Sequence, residues 1–322
     1  MRARTEPAKY HLDQRPGRST FAVSGQVFPS VRPAGGLYLV ATPIGNLGDI
    51  TIRALETLAG VDLIACEDTR VTRKLLDRFQ IATPLSPYHD HNAATARPKL
   101  LEKLANGAAI ALVSDAGTPL ISDPGFKLVR EASAAGMTVI ALPGASSVLT
   151  ALCVAGLPTD RFFFEGFLPA RAAARRSRIA ELARIDATLV LFESGSRIAG
   201  ALQDLGEAFG ERDAAICREM TKLHEQIERG KLAQLAERAD ALETRGEFVV
   251  VVGPPGARDA MMSDADLDQA LAAALARSSV KDAVAEISTI SGRGRRDVYA
   301  RALELAKKLA KSGKPGGGDG GR

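Results

Sequence analysis

The chain has 322 residues, 46% hydrophobic and 25% charged, with a net charge of +4 at pH 7. This composition excludes a wholly disordered, collagen-like or disulfide-stapled chain, and no stretch reaches the ~18 uninterrupted apolar residues of a membrane-spanning helix. Three widely spaced cysteines, Cys66, Cys153 and Cys217, form no CxxC pair, which points to a reducing compartment and away from a structural zinc site.

Residues 1–35 mix Pro, Gly, Arg and Ser without periodicity and read as a disordered basic extension. They lack the apolar core of an export signal, so a cytoplasmic location is expected. Regular structure is predicted from Leu37. LYLVA (37–41) reads as a buried strand, TPIGNLGD (42–49) as a turn-rich loop and 50–59 as a helix. VDLIACE (61–67) is a second strand, 69–79 a helix, 84–92 a polar loop and 93–106 a helix stopped at Gly107. AIALVS (109–114) is a strand leading into DAGTPLISDPG (115–125). A helix over 126–135, a strand MTVIALP (137–143) and a loop turning into a helix (144–156) complete the first unit.

The pattern then restarts. RFFFEGF (161–167), ATLVLFES (187–194), AAICRE (214–219) and EFVVVVG (247–253) read as strands, with helices over 170–185, 197–209 and 231–242. Alternation of strands and helices through Gly/Pro/Asp loops predicts α/β architecture with a largely parallel sheet. The expected organisation is an α/β domain over 36–157, a second over 158–255 and a ligand cleft between them. A linker (254–264), a small all-helical domain over 264–311 and a disordered tail (312–322) follow. In that last domain the helices around SGRGRR (291–296) have the outline of a helix-turn-helix.

Charge is unevenly spread. Residues 1–35 carry six Arg/Lys against two acids and residues 277–322 eleven against five, so the body between them is net −6. A further basic cluster, Arg171, Arg175, Arg176, Arg178 and Arg184, is opposed only by Glu181. Basic patches around an acidic body suit a polyanion, nucleic acid first, although solvated helix faces give the same pattern.

Four loops follow strand ends in the first unit: TPIGNLGD, CEDTR (66–70), SDAGTPLISDPG (114–125) and PGASS (143–147). In doubly wound sheets ligands bind at the carboxyl ends of strands. There is no GxGxxG after the first strand and no GxxxxGK[ST], so dinucleotide and P-loop fingerprints are absent. There is no GxSxG for a hydrolase triad. Two of the four histidines lie in PYHDHN (87–92). A lone HxH lacks further metal ligands, so no metal is expected, and a surface loop, substrate contact or acid/base work stay open.

VATPIGNLGDIT, ACEDTR, YHDHN, VSDAGTPLISDPG, ALPGASS, FFEGFLP, LFESGSR and REMTKLHE occur in this order. Together they resemble the ribosomal small-subunit methyltransferase I family, the 16S rRNA cytidine 2′-O-methyltransferases of the tetrapyrrole methylase superfamily. The resemblance runs densely from Gly36 to Gly253 and more loosely through 279–303. It implies S-adenosylmethionine as methyl donor, 16S rRNA or the small ribosomal subunit as partner, and a homodimer without membrane attachment.

Residue by residue, the resemblance places Pro43, Ser114, Asp115, Gly117, Thr118, Ser146, Ser147, Glu193 and Met220 at the donor. Tetrapyrrole-modifying members begin with a GxGPGD-type loop; ATPIGNLGD stands here instead, which favours the rRNA branch. A ribose 2′-OH is weakly acidic and calls for a base; Asp68, His89, Asp90, His91 and Glu219 are the candidates. Arg171, Arg175, Arg176, Arg178, Arg293, Arg295 and Arg296 are candidate RNA contacts. The rival readings are a small-molecule tetrapyrrole methyltransferase and a non-catalytic RNA-binding protein.

Overall fold

The structure, a computed structural model, describes residues 19–256 and 264–312. The expected tail beyond residue 312 and most of the 254–264 linker lie outside the described residues.

The chain opens with an antiparallel hairpin, β1 (Thr20–Val23) and β2 (Gln26–Pro29). The expectation of a disordered extension fails from residue 19 onward. Phe21 is buried against the first core, and the Ala22 amide donates to the Phe79 carbonyl at 2.7 Å. A single buried aromatic and one hydrogen bond to a distant helix end leave no periodic signal in sequence.

The first sheet takes β3 (Gly36–Val40), β4 (Leu63–Cys66), β5 (Leu85–Pro87), β6 (Ala109–Val113) and β7 (Val139–Leu142) in the order β5-β4-β6-β3-β7, all parallel. Side chains alternate across it. Tyr38, Val40, Ala109, Ala111 and Val113 face α1 (Ile52–Gly60) and α2 (Thr69–Arg78). Leu37, Ile110 and Leu112 face α3 (Ala93–Ala105) and α4 (Phe126–Ala134). The edge strand β5 lies where the sequence reads as polar loop; three residues ending in Pro carry too little pattern.

The second sheet holds β8 (Phe162–Phe167), β9 (Thr188–Ser194), β10 (Asp213–Arg218), β11 (Gln226–Lys231) and β12 (Glu247–Val252) in the order β11-β10-β12-β9-β8. Only β8 and β9 are parallel; the other pairings are antiparallel. The expected parallel character therefore holds for the first sheet alone. Strand β11, QIERGK, is an edge strand too polar to read as one.

One face of this sheet packs α6 (Ala172–Leu182), α7 (Ile198–Phe209) and α8 (Leu232–Glu237). The other face receives α5 (Ser147–Ala155), the last helix of the first unit. Its Val148, Ala151 and Leu152 pack on Val190, Ala215 and Val251. A helix that ends one sheet's connections and covers the other sheet holds the two α/β domains against each other. Helices α9 (Asp264–Leu275), α10 (Val280–Ile290) and α11 (Arg295–Ser312) then close a separate small core around Leu271, Val284, Ile287 and Val298.

Candidate functional site: a cleft between two sheets

A cavity of about 350 Å³ opens between the carboxyl ends of β6 and β7 on one side and, on the other, the carboxyl ends of β9 and β10 with the amino end of β12. This is the place where α/β sheets bind ligands. The expected donor loops build one of its walls. Thr42 and Gly117 exchange backbone hydrogen bonds of 2.9 Å, joining the first loop to the third. Gly117 holds φ +80°, a left-handed conformation that favours glycine. Thr118 Oγ1 donates to the Ala145 carbonyl at 3.0 Å, joining the third loop to the fourth. Ser146 caps α5, accepting from the Leu149 amide.

The second unit supplies the opposite wall. Phe192 stacks edge-on with Phe164 and Phe167 at centroid distances of 4.9 and 5.6 Å. Lys222 donates to Glu219 and Glu247, both at 2.8 Å. The Asn46 amide donates to Thr221 Oγ1 at 3.1 Å and ties the two walls at one end.

Seven of the nine expected donor residues line this cavity: Asp115, Gly117, Thr118, Ser146, Ser147, Glu193 and Met220. Pro43 and Ser114 are buried and do not line it. The catalytic expectations fare differently. Asp68 caps α2 and is held by Arg70, whose side-chain hydrogen bonds pull its carboxyl down to about 2. Asp68 does not line the cavity, and its carboxylate is engaged as the cap of α2 and by Arg70, which gives it a structural place rather than the catalytic one expected.

His89 and His91 sit 6.0 Å apart, ring to ring, at the β5 edge and do not line the cavity. His89 Nδ1 is buried without a hydrogen-bond partner, and Asp90 faces Glu67 from the same loop. Glu219 lines the cavity. Burial works to raise its pKa, but Lys222 and the Glu247 amide outweigh burial and the net shift is downward.

Sequence reading passed over Glu67 and Asp123. Burial, then the charges of Asp115 and Asp90, raise Glu67. Burial, then Glu67 and Asp115 acting against a hydrogen bond from Ser114, push Asp123 up to about 6. Burial also raises Asp115, and its Oδ1 accepts the Asp68 amide at 3.0 Å. The signal for Asp123 was present in SDPG, but Asp before Pro-Gly reads as turn chemistry.

The arginine expectations need correction as well. Arg175 is buried and bound to Asp204 at 2.6 Å, so it is a structural side chain and not an RNA contact. Arg178 is held by Glu165 in a two-pronged pair at 2.7 Å and by Glu181 at 2.6 Å, which neutralises it. Arg293 pairs with Asp264 at 2.6 Å. Arg171, Arg176, Arg295 and Arg296 are exposed. A helix that must pack on a core turns part of any basic run inward, and sequence spacing alone did not reveal which part.

The cavity suits the methyl donor that the resemblance implies. Ile44, Met220, Phe167 and Val249 give apolar surface, while Asp115 and Glu193 offer acceptors for hydroxyls and cationic groups. Glu193 Oε2 is the most pointed feature. Its side chain is 2% exposed and lies 3.2 Å from Arg197, yet no hydrogen bond reaches that oxygen. Arg197 balances its charge, and a carboxylate oxygen with two lone pairs keeps room for a ligand N–H or O–H. Among the described residues no three His, Cys, Asp or Glu side chains converge on a metal position.

Residues 36–236 match the tetrapyrrole (corrin/porphyrin) methylase family, and residues 262–306 match the RsmI C-terminal HTH domain. A ribosomal RNA small subunit methyltransferase I from Mesorhizobium japonicum is 48% identical over 284 residues, covering 87% of this chain and 96% of that protein. The protein of the same description from Vibrio cholerae is 50% identical over 227 residues, 70% of this chain and 78% of its own. Among solved structures, the methyltransferase CobJ aligns with a TM-score of 0.52 at 22% identity, over 68% of this chain and 94% of that one. Diphthine synthase aligns with a TM-score of 0.53 at 17% identity, over 67% and 89%. These two likenesses establish the fold. With the cleft, its donor set and the relatives at about half identity, the chain belongs to the ribosomal RNA small subunit methyltransferase I family of S-adenosylmethionine-dependent tetrapyrrole-methylase-fold enzymes.

Proposed function

We propose that this protein transfers a methyl group from S-adenosylmethionine to the ribose 2′-OH of a cytidine in 16S rRNA, in the decoding region of the small ribosomal subunit. The observation that carries the reading is the cavity between the two sheets, which combines the loop set expected at the donor with the buried carboxylate of Glu193. S-adenosylmethionine supplies an electrophilic methyl on a sulfonium, so transfer is an in-line displacement governed by positioning.

The residues of the chain divide the work. Asp115, Glu193 and the α5 N-terminus at Ser146–Ser147 hold polar groups of the donor. Ile44, Met220 and Phe192 pack its apolar surface and keep water out. The domain division follows: residues 36–157 hold the donor, 158–255 close the cleft, and 264–311 dock RNA. Arg295 and Arg296, exposed at the start of α11, support that last role. We further propose a cytoplasmic homodimer. No helix among the described residues is long and apolar enough to cross a membrane.

The test is an acceptor panel with labelled donor: small ribosomal subunits, deproteinised 16S rRNA and a uroporphyrinogen-type tetrapyrrole. Transfer to the ribosomal substrate alone is expected. Transfer to the tetrapyrrole would overturn the reading, as would donor binding without transfer to any RNA.

A further inference from the structure

Three anionic side chains meet at the carboxyl ends of β4 and β6: Glu67, Asp115 and Asp123. They are not equivalent. The Asp115 carboxylate is engaged by the Asp68 amide at 3.0 Å. Glu67 faces Asp90 and His89 and does not line the cavity. Asp123 lines it, beside Ile121 and Ser122 and across from Phe167 and Glu193. The groups acting on Asp123 are its half-burial, the Ser114 hydroxyl, Glu67 and Asp115, none of them cationic. On the far wall the charges are Glu193, Glu219 and Glu247 with Lys222, and Lys222 is already bound to Glu219 and Glu247.

The backbone around this carboxylate is also unusual. Leu120 and Ser122 hold φ +74° and +64°, and across the cavity Glu219 and Thr221 hold +50° and +66°. Non-glycine residues in that region cost energy and persist where surrounding structure dictates them, often at functional sites. Ser122 immediately precedes Asp123, so the turn fixes where the carboxylate emerges.

We propose that Asp123 is the proton acceptor for the ribose hydroxyl that is methylated. The inference rests on the reading of the chain as a ribose 2′-O-methyltransferase. In the step it serves, the 2′-oxygen forms a bond to the methyl carbon as that carbon's bond to sulfur breaks. The bonding pair stays on sulfur, leaving neutral S-adenosylhomocysteine. The hydroxyl proton passes to the Asp123 carboxylate and from there to solvent. No further reactant is required. An aspartate pushed up to about 6 is a better base than an ordinary one and is still ionised at neutral pH. The other candidates are less apt: Asp68 and Glu219 are held by cations, and the two histidines lie off the cavity.

The test uses the full-length protein, small ribosomal subunits and labelled donor. Single-turnover rates are measured from pH 5 to 8 at saturating donor for wild type, Asp123→Asn and Asp123→Glu. Donor affinity is measured by calorimetry, and the Asp123 carboxyl is titrated by carbon NMR. The wild-type rate is expected to rise with pH through about 6, together with the carboxyl titration. Asp123→Asn should lower the rate about 10²- to 10⁴-fold and abolish that rise, with donor affinity within a few-fold of wild type. Asp123→Glu should recover part of the rate and move the inflection, and it decides the question if Asp123→Asn does not fold.

A wild-type rate or an unchanged pH profile in Asp123→Asn would overturn the proposal. So would loss of donor binding, which would make Asp123 a donor contact. Failure of the broader reading looks different: wild type itself would then transfer nothing to the subunit.

Discussion

Arg175 reaches from α6 to α7 and binds Asp204, Nε to Oδ2 at 2.6 Å, with only 11% and 8% of the two side chains exposed. A second hydrogen bond goes to the Gly200 carbonyl at 3.2 Å. An arginine that the sequence offers as an RNA contact is thereby a cross-link within the second domain. Arg175→Ala leaves a buried carboxylate without its main partner, and such losses cost about 3–5 kcal/mol. Chemical denaturation should show that loss, whereas RNA affinity of the remaining folded protein should stay near wild type.

The exposed arginines should behave in the opposite way. Arg171→Ala, Arg295→Ala and Arg296→Ala should leave stability within about 0.5 kcal/mol of wild type. Each should weaken RNA binding and lower the slope of log affinity against log salt by about 1 for every phosphate that is no longer neutralised. Binding titrations at several salt concentrations check this. A protein ending at Gly256, without α9 to α11, should keep donor affinity and lose most modification of the small subunit.

Glu193 lines the cleft from the second domain. Its buried carboxylate is ion-paired with Arg197 at 3.2 Å. Glu193→Gln should weaken S-adenosylmethionine binding by about 1–3 kcal/mol, the usual cost of losing a charged hydrogen-bond partner in a buried site. Calorimetry reads this directly. The fold should tolerate the amide, because the side chain keeps its shape.

Asp123 also makes a prediction about stability. Its carboxyl is raised from 3.8 in the unfolded chain to about 6 in the folded one, first by burial. Between those pH values the folded state holds more protons than the unfolded state, so this group makes stability fall as pH rises. Asp123→Asn removes the cost of the charge. Because the group is only half-buried, screening reduces the benefit to ~1 kcal/mol, or a Tm rise of about 2–4 °C at pH 7. The gain should shrink as pH falls below about 6 and be mostly lost near pH 3.5, where the folded-state carboxyl is protonated and the unfolded one largely so. Thermal melts at pH 3.5 and 7 provide the comparison. A variant more stable and less active is the expected trade at a site that stores unfavourable charge.

Much of this architecture was legible in the sequence, for physical reasons that particular residues illustrate. AIALVS and EFVVVVG are apolar on both faces because helices cover β6 on both sides and α5 and α7 sandwich the sheet around β12. The glycines and serines of SDAGTPLISDPG and PGASS mark loops at strand ends, where ligands bind. What escaped was whatever depends on distant partners. β11 is polar because it is an edge strand, and its place is set by pairing with β10. Phe21 joins the first core through a hairpin whose Ala22 amide bonds to the distant Phe79 carbonyl. Asp123 looks like a turn residue until Glu67, from another loop, and Asp115, from the start of its own loop, are brought beside it. Basic helix spacing could not separate Arg175 from Arg171, since burial is decided by Asp204 across a helix interface.

The proposed reaction alters one atom of one nucleotide. Small subunits lacking the modification, incubated with the protein and isotopically labelled S-adenosylmethionine, are digested to nucleosides, separated and identified by mass spectrometry, and the labelled position is mapped by primer extension. The expected result is a single labelled product, 2′-O-methylcytidine, from one position in the decoding region of 16S rRNA. Label on a base, on another nucleotide, or absent from RNA while donor is bound would contradict it.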